Sequence, residues 1–222
     1  MKSLKELFRI GKGPSSSHTM GPQMAAKIFL ERNKKAKEFE VTLYGSLAAT
    51  GKGHQTDSAI LDILSPVAKV NLLWEPTIFL PFHPNGMRFV SKDEEGKTME
   101  EWTVYSVGGG ALSEGKDAGN HVEHDVYDMN TMTEIMKWCY DNGRNYWEYV
   151  DITEGPDIWD YLMKVWKAMQ DAVERGINTE GRLPGPLNLS RKASTYYVKA
   201  SGYQRNLQTR GLVFSYALAV SE

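Results

Sequence analysis

The sequence predicts an α+β fold in which strands and helices mix up to about residue 125 and helices dominate beyond it. Phe39, Val41 and Leu43 alternate with other residues, a pattern typical of a strand with one buried face. Two further alternating runs flank a polar turn at residues 93–96 and predict a β-hairpin. In the last third of the chain the apolar residues recur at helical spacing instead.

Two helices are predicted in the first half, after one or two helical turns at residues 3–10. The first runs from about residue 19 to 33, with Thr19 available as N-cap and Pro22 inside the first turn. The second is expected to begin near Thr56. The apolar positions that follow the helical period are Met24, Ile28, Phe29, Ile60, Leu61 and Leu64.

The segments around these helices complete the predicted sheet. The stretch EFEVTLYG, residues 38–45, reads as a strand, and VAKVNLLWE, residues 67–75, is strand-like. Between them, SLAATGKGHQ, residues 46–55, is interpreted as a small-residue, glycine-rich turn. A polar, acidic loop is expected over residues 113–128.

The second half is predicted to be helical at residues 131–143, at 156–177 and again from about Ser190. Gly176 is placed as a helix C-cap. Cys139 is expected in the core of its helix. The longer helix carries an apolar stripe that is expected to pack in the core: Trp159, Leu162, Met163, Trp166 and Met169.

Composition excludes several classes of partner. A formal net charge of −2 gives no electrostatic reason to expect a nucleic acid. No apolar run approaches the roughly 18–20 residues that a membrane span needs. The single cysteine, Cys139, cannot form an internal disulfide, and the N-terminus lacks the apolar core of a signal peptide. These features predict a cytoplasmic protein with no nucleic-acid or membrane partner.

The first candidate site is the stretch GPSSSHTMGP, residues 13–22. It places hydroxyls and an imidazole, His18, between two Gly-Pro steps and just before a predicted helix. A helix N-terminus attracts anions because its first amides are unpaired. The hydroxyls could therefore help to hold a carboxylate or phosphate, and His18 could transfer a proton; these hydroxyls belong to Ser15, Ser16, Ser17 and Thr19. The alternative is a capped loop whose serines satisfy the local backbone.

The second candidate, YGSLAATGKGHQTD, has the strand, glycine-rich turn and helix layout of a phosphate loop. It fails the Walker pattern, because Gly53 follows Lys52 where Ser or Thr is required. What remains is a turn that presents His54 at a helix start, where an imidazole could serve as general base or acid. The alternative is a surface histidine near a helix cap.

Two further loops are weaker candidates. FHPNGMRF places His83, Asn85 and Arg88 around a turn, although a tight turn explains Asn85 and Gly86 without any function. SVGGGA would allow a ligand close to the backbone, or would simply form a wide turn. The HVEH stretch, residues 121–124, is interpreted as a solvated loop.

Taken together and in this order, the motifs GPSSSHT, YGSLAATGKGHQTD, HPNGMRF and YSVGGG resemble the N-terminal, or β, part of the iron–sulfur-dependent L-serine dehydratases. The resemblance continues through VERGINTEGRLPGPLNLSRKAS and FSYALAVSE. It implies a β-chain domain at residues 1–183 and, at 184–222, a linker and the first helices of a truncated catalytic α domain. The implied fold is a mixed sheet with packed helices, similar to the allosteric substrate-binding domain of phosphoglycerate dehydrogenases.

The resemblance also implies a reaction, the elimination of water from L-serine to give pyruvate and ammonia. It implies that His54 is the catalytic base and that His18 is a second catalytic residue. The residues that it implies for substrate binding are Ser15, Ser16, Ser17, Thr19, Lys52, Gly53, His83, Asn85 and Gly86.

The family resemblance implies a 4Fe–4S cluster in the full-length enzyme. None is expected in this chain, because one cysteine cannot hold a cluster that needs three or four thiolates. The implied partners are L-serine, a catalytic α domain in the same chain or as a separate subunit, and a second copy in a homodimer. Two alternatives stay open: a regulatory module that binds L-serine without catalysis, and a structural dimerisation domain.

Overall fold

A computed structural model describes residues 1–115, 125–185, 187–202 and 208–221. Much of the predicted acidic loop, including His121 and His124, lies outside the described residues. The helices are α1 (Leu4–Leu7), α2 (Gly21–Arg32), α3 (Gly45–Thr50), α4 (Thr56–Leu64), α5 (Met132–Asn142), α6 (Tyr146–Glu154), α7 (Asp157–Ile177), α8 (Ala193–Gly202) and α9 (Gln208–Ser221). A π-helical turn, Ser16–Met20, leads into α2. The strands are β1 (Glu38–Tyr44), β2 (Lys69–Glu75), β3 (Gly86–Lys92), β4 (Thr98–Gly108) and β5 (Ala111–Ser113).

The strands form one mixed sheet in the order β2-β1-β3-β4-β5. The β1–β2 pair is parallel, whereas the other neighbouring pairs are antiparallel. Val41 lies opposite Leu72 on one side and Phe89 on the other. The predicted α+β class with a mixed sheet and packed helices is confirmed.

The core lies between one face of this sheet and helices α2 and α4. Phe39, Val41 and Leu43 are fully buried, as their alternation predicts. The ring of Phe29, on α2, lies 6.0 Å from that of Phe39 and 5.4 Å from that of Phe89, centroid to centroid. This aromatic packing fixes α2 on the sheet and thereby places the residues that precede α2.

The triple glycine closes the turn between β4 and β5. Gly108, Gly109 and Gly110 have φ values of 105°, 57° and 77°, a region of backbone space that residues with a Cβ rarely adopt. A Cβ on Gly108 or Gly109 would meet no atom of the described part of the chain within 4 Å, so conformation rather than space requires glycine there. Of the two interpretations of SVGGGA, the structure shows the turn.

The predicted core stripe on α7 is wrong for the described chain. Trp159, Met163, Trp166 and Met169 are between 37% and 64% exposed. The buried residues of α7 are instead Ile158 and Gly176. The helical period places these side chains along one stripe, whereas Ile158 and Gly176 lie at the edge of that stripe, next to Met169.

Gly176 is not a C-cap, because α7 continues to Ile177 and is capped at Asn178. A Cβ on Gly176 would lie 2.3 Å from the carbonyl oxygen of Ala219. Glycine is therefore required by the close crossing of α7 and α9, and residues 184–222 carry helices that pack on α7. The domain boundary at residues 183/184 stays a prediction.

Candidate functional site

The first candidate loop is helical. Ser15 caps the π-turn, since its Oγ accepts a hydrogen bond from the His18 amide at 3.1 Å. The prediction of Thr19 as N-cap is wrong, because Thr19 lies inside the π-turn and is buried. Its hydroxyl accepts a hydrogen bond from the Ser15 amide at 3.2 Å and donates one to the carbonyl oxygen of His54 at 2.8 Å.

Only the second part of the glycine-rich stretch forms the predicted turn. Its first part forms α3, and residues 51–55 form the turn that leads into α4. Gly45 begins α3 with a φ of 49°, and a Cβ there would lie 2.6 Å from the carbonyl oxygen of Pro84. Gln55 ends the turn with a φ of 56°, which is uncommon for a residue with a side chain.

These two segments bring His18 and His54 into ring contact. The ring centroids lie 4.8 Å apart, with 49° between the planes. The Nδ1 atom of His18 lies 3.0 Å from Ser17 Oγ, and its Nε2 atom lies 3.2 Å from Ser46 Oγ. Both nitrogens of His18 therefore have hydroxyl partners, whereas the described residues provide no hydrogen bond to the ring of His54.

A cleft of about 1350 Å³ opens beside this histidine pair. Its walls come from residues 7–14, 49–55, α7, the connection after α7 and the end of α9. Gly53 and His54 line it, and Pro14 lines it immediately before the serines. His18 lies behind His54, in contact with it.

The third candidate loop reaches the same region through Ser46. The Ser46 amide donates to the carbonyl oxygen of Pro84 at 3.0 Å, and the Asn85 amide donates to His83 Nδ1 at 3.1 Å. Asn85 is buried, and its Nδ2 donates to the carbonyl oxygen of Ser106 at 3.3 Å. Within the described part of the chain, Asn85 Oδ1 and Ser106 Oγ are buried without a hydrogen-bond partner.

Other candidate residues contact side chains outside the histidine pair or lie at the edge of the candidate site. The ammonium group of Lys52 lies over the ring of Trp74, 5.6 Å from its centroid. Arg88 forms a bidentate ion pair with Glu101, 2.7 Å for each contact, across β3 and β4. Ser16 is exposed on the π-turn. Gly86 is buried at the start of β3, where a Cβ would lie 2.7 Å from Leu80 Cδ1.

Sequence reasoning missed Ser46 and Thr56 as members of this site. Thr56 is fully buried, and its hydroxyl donates to the carbonyl oxygen of His18 at 2.5 Å. Both residues stand at helix starts, where serine and threonine are common for local reasons. No signal in the sequence separates that ordinary role from contact with another loop.

The environment of His18 favours its neutral form. Burial of the ring lowers its pKa, and the adjacent His54 lowers it further, while a backbone hydrogen bond at Ser46 acts in the opposite direction. A neutral imidazole can exchange a proton with its hydroxyl partners and with a neighbouring ring.

This shift predicts a stability change with pH. The unfolded chain binds a proton at His18 near pH 6.5, whereas the folded protein does so only at lower pH. The stabilising contribution is complete above pH 6.5 and is lost as the pH falls through the interval between the two pKa values. We expect the free energy of unfolding, measured by urea denaturation, to fall less steeply below pH 6.5 in His18→Gln than in wild type. Equal slopes would contradict this prediction.

Metal-binding side chains are sparse in the described residues. No group of three or more His, Cys, Asp or Glu side chains there could hold a metal ion. Cys139 is buried in α5, as predicted. The part of the chain with described coordinates also contains no helix with the length and apolar character of a membrane span.

Comparison with known proteins decides the family. The model of the serine dehydratase beta chain matches residues 3–67 and 62–117, which together hold all four candidate loops. The chain belongs to the serine dehydratase family. The matched region ends just after β5, so it comprises the whole sheet and the helices that carry the histidine pair.

Curated members of the serine dehydratase family match over the whole chain. L-serine dehydratase TdcG of Escherichia coli is 34% identical over 278 aligned positions, covering 100% of this chain and 60% of the relative. The L-serine dehydratase of Haemophilus influenzae is 34% identical with the same coverage, and that of Streptomyces coelicolor is 30% identical over 99% of this chain. The chain thus spans about 60% of the length of these relatives.

Proposed function

We propose that this chain is the N-terminal part of an L-serine dehydratase and supplies the base for β-elimination of water from L-serine, giving pyruvate and ammonia. The observation that carries the proposal is the contact between His18 and His54 beside the cleft, within a member of the serine dehydratase family. The names of the curated relatives support L-serine as the substrate.

His54 is the better placed of the two histidines to accept the α-proton. It lines the cleft, and within the described residues its ring nitrogens have no hydrogen-bond partner. A general base must come within hydrogen-bond distance of the proton that it takes, so an unengaged ring at the wall of the cleft meets this requirement. His18, held by Ser17 and Ser46, supports the ring of His54 from behind.

The serine-rich segment at residues 13–22 is the proposed site for the substrate carboxylate. The first amides of a helical segment lack intrahelical partners and attract anions. Ser16 is exposed at the start of the π-turn, and the neighbouring Pro14 lines the cleft. The hydroxyl of Ser15, in contrast, is occupied by the amide of His18.

The four-iron cluster implied by the resemblance does not fit these residues. The chain has one cysteine, which is buried in α5, and a cluster of this kind needs three or four thiolates. In this proposal the thiolates come from a catalytic α domain outside the 222 residues, either in the same polypeptide or as a separate subunit. The contribution of this chain is binding, orientation and proton transfer.

Two measurements test the proposal. Combined with the cluster-bearing α domain of a relative under anaerobic conditions, the chain is expected to produce pyruvate when L-serine is added. Absence of pyruvate with an intact cluster would contradict the proposal.

Calorimetric titration of the chain alone with L-serine separates the enzyme part from a regulatory binding module. Saturable binding without the α domain would favour the module, because the chain would then hold the amino acid by itself. If the titration shows no binding and the assembled enzyme forms pyruvate, the result would favour an active site that the α domain completes.

A further inference from the structure

The two loops that carry the histidine pair are tied to each other by a reciprocal pair of hydrogen bonds. Thr19 Oγ1, next to His18, donates to the carbonyl oxygen of His54 at 2.8 Å. Thr56 Oγ1, two positions after His54, donates to the carbonyl oxygen of His18 at 2.5 Å. The bonded residues are 35 and 38 positions apart in sequence, so neither bond belongs to a regular helix.

Both threonines are buried and tightly surrounded. Thr19 is 1% exposed and Thr56 is 0% exposed. The Thr19 hydroxyl also accepts a hydrogen bond from the Ser15 amide, so both its donor and an acceptor position are used. A Cβ on Gly51 would lie 3.1 Å from Thr56 Oγ1, which shows how little free space surrounds that hydroxyl.

We propose that Thr19 and Thr56 are positioning residues that hold the His18 and His54 rings in contact by clamping the backbone of each histidine to the opposite loop. This inference rests on the proposed function for its catalytic consequence, though not for its geometry. It gives Thr19 a different role from the substrate-binding one that the resemblance implies, because its hydroxyl already serves two backbone groups.

The two threonine hydroxyls determine where the backbone of each histidine lies. If its threonine lost the hydroxyl, each carbonyl would lose the donor that ties it to the opposite loop. The backbone of that loop would then shift to find another donor, and the ring attached to it would move. Catalytic groups displaced by about 1 Å can lose about 10²-fold in rate.

Valine substitution tests the clamp, because it keeps the β-branched shape and removes the hydroxyl. In Thr19→Val and Thr56→Val we expect NMR to show weaker cross-peaks between the two histidine rings and a His18 pKa closer to 6.5, since the influence of His54 declines. Thr19→Ser and Thr56→Ser keep a donor and are expected to restore both signals. Thr42→Val, a change at a buried threonine on β1, is the control that should leave them unaltered.

In the enzyme assembled with the α domain, each valine variant is expected to lower kcat by about ten- to a hundredfold with little change in KM, and each serine variant to recover most of it. Ring contacts and a His18 pKa identical to wild type in both valine variants would overturn the clamp, whatever the activity. Loss of ring contact with undiminished turnover would also overturn it as a positioning device. If instead His54→Ala keeps full activity while the valine variants separate the rings, the proposed function fails. The conclusion that the two threonines hold the rings in contact would then remain valid.

Discussion

His54→Ala is expected to lower kcat for L-serine by at least about 10²-fold in the enzyme assembled with its α domain, the usual scale for loss of a general base. The residue lines the cleft and contacts His18, so removal of its ring leaves no imidazole among the described residues that line the cleft. The measurement is steady-state pyruvate formation at saturating L-serine.

The matched comparison for this variant is His18→Gln. His18 lies behind His54, and both of its ring nitrogens contact hydroxyl groups. Its substitution is therefore expected to lower kcat less than the substitution of His54 does. Urea denaturation of both variants checks that the fold persists. Near-normal turnover in a folded His54→Ala enzyme would remove His54 from the proposed role.

Gly176→Ala is expected to destabilise the contact between α7 and α9. The added Cβ would lie 2.3 Å from the oxygen and 2.5 Å from the Cα of Ala219, so one helix must move away from the other. Overpacking of this kind typically costs about 1–3 kcal/mol. We expect a lower midpoint in urea denaturation and faster proteolytic cleavage within α9.

Gly202→Ala provides the control for this effect. Gly202 ends α8, and a Cβ there would meet no atom of the described residues within 4 Å. The substitution removes backbone freedom from the unfolded chain without a clash and is expected to be neutral or slightly stabilising. If the two variants unfold at the same urea concentration, close packing at Gly176 is not what holds α9.

The difference between predicted and observed structure at α7 has a clear physical origin. Periodicity shows which residues share a helix face, but it does not show which face finds a partner. On α7 the face with Trp159, Met163 and Trp166 is exposed, whereas Gly176 allows the backbone of α9 to approach. The same glycine is also the usual signal for a helix end, so composition alone could not distinguish a cap from a crossing.

The glycine-rich stretch shows a similar ambiguity. Residues 46–50 include Leu47, Ala48 and Ala49, which are strong helix formers, but the glycines that flank the segment are typical of a turn. The outcome depends on Gly45, whose positive φ directs the chain into α3 beneath the carbonyl of Pro84. Because Pro84 is distant in sequence, this contact exists only in the folded chain.

Helix α6 was missed as well, although Asn145 and Glu148 form a capping box at its start.

By itself the sequence determined the α+β class, the strand with Phe39, Val41 and Leu43 on its buried face, the hairpin, the start of α4 at Thr56 and the identity of the candidate loops. These features depend on neighbouring residues, whose side-chain period and turn chemistry are local. Only the tertiary structure decided that His18 and His54 touch, that Thr19 and Thr56 bind the opposite loops, and that Gly176 serves a helix crossing. Such contacts join residues far apart in sequence, and they form only when packing of the sheet and helices has set the distance between them.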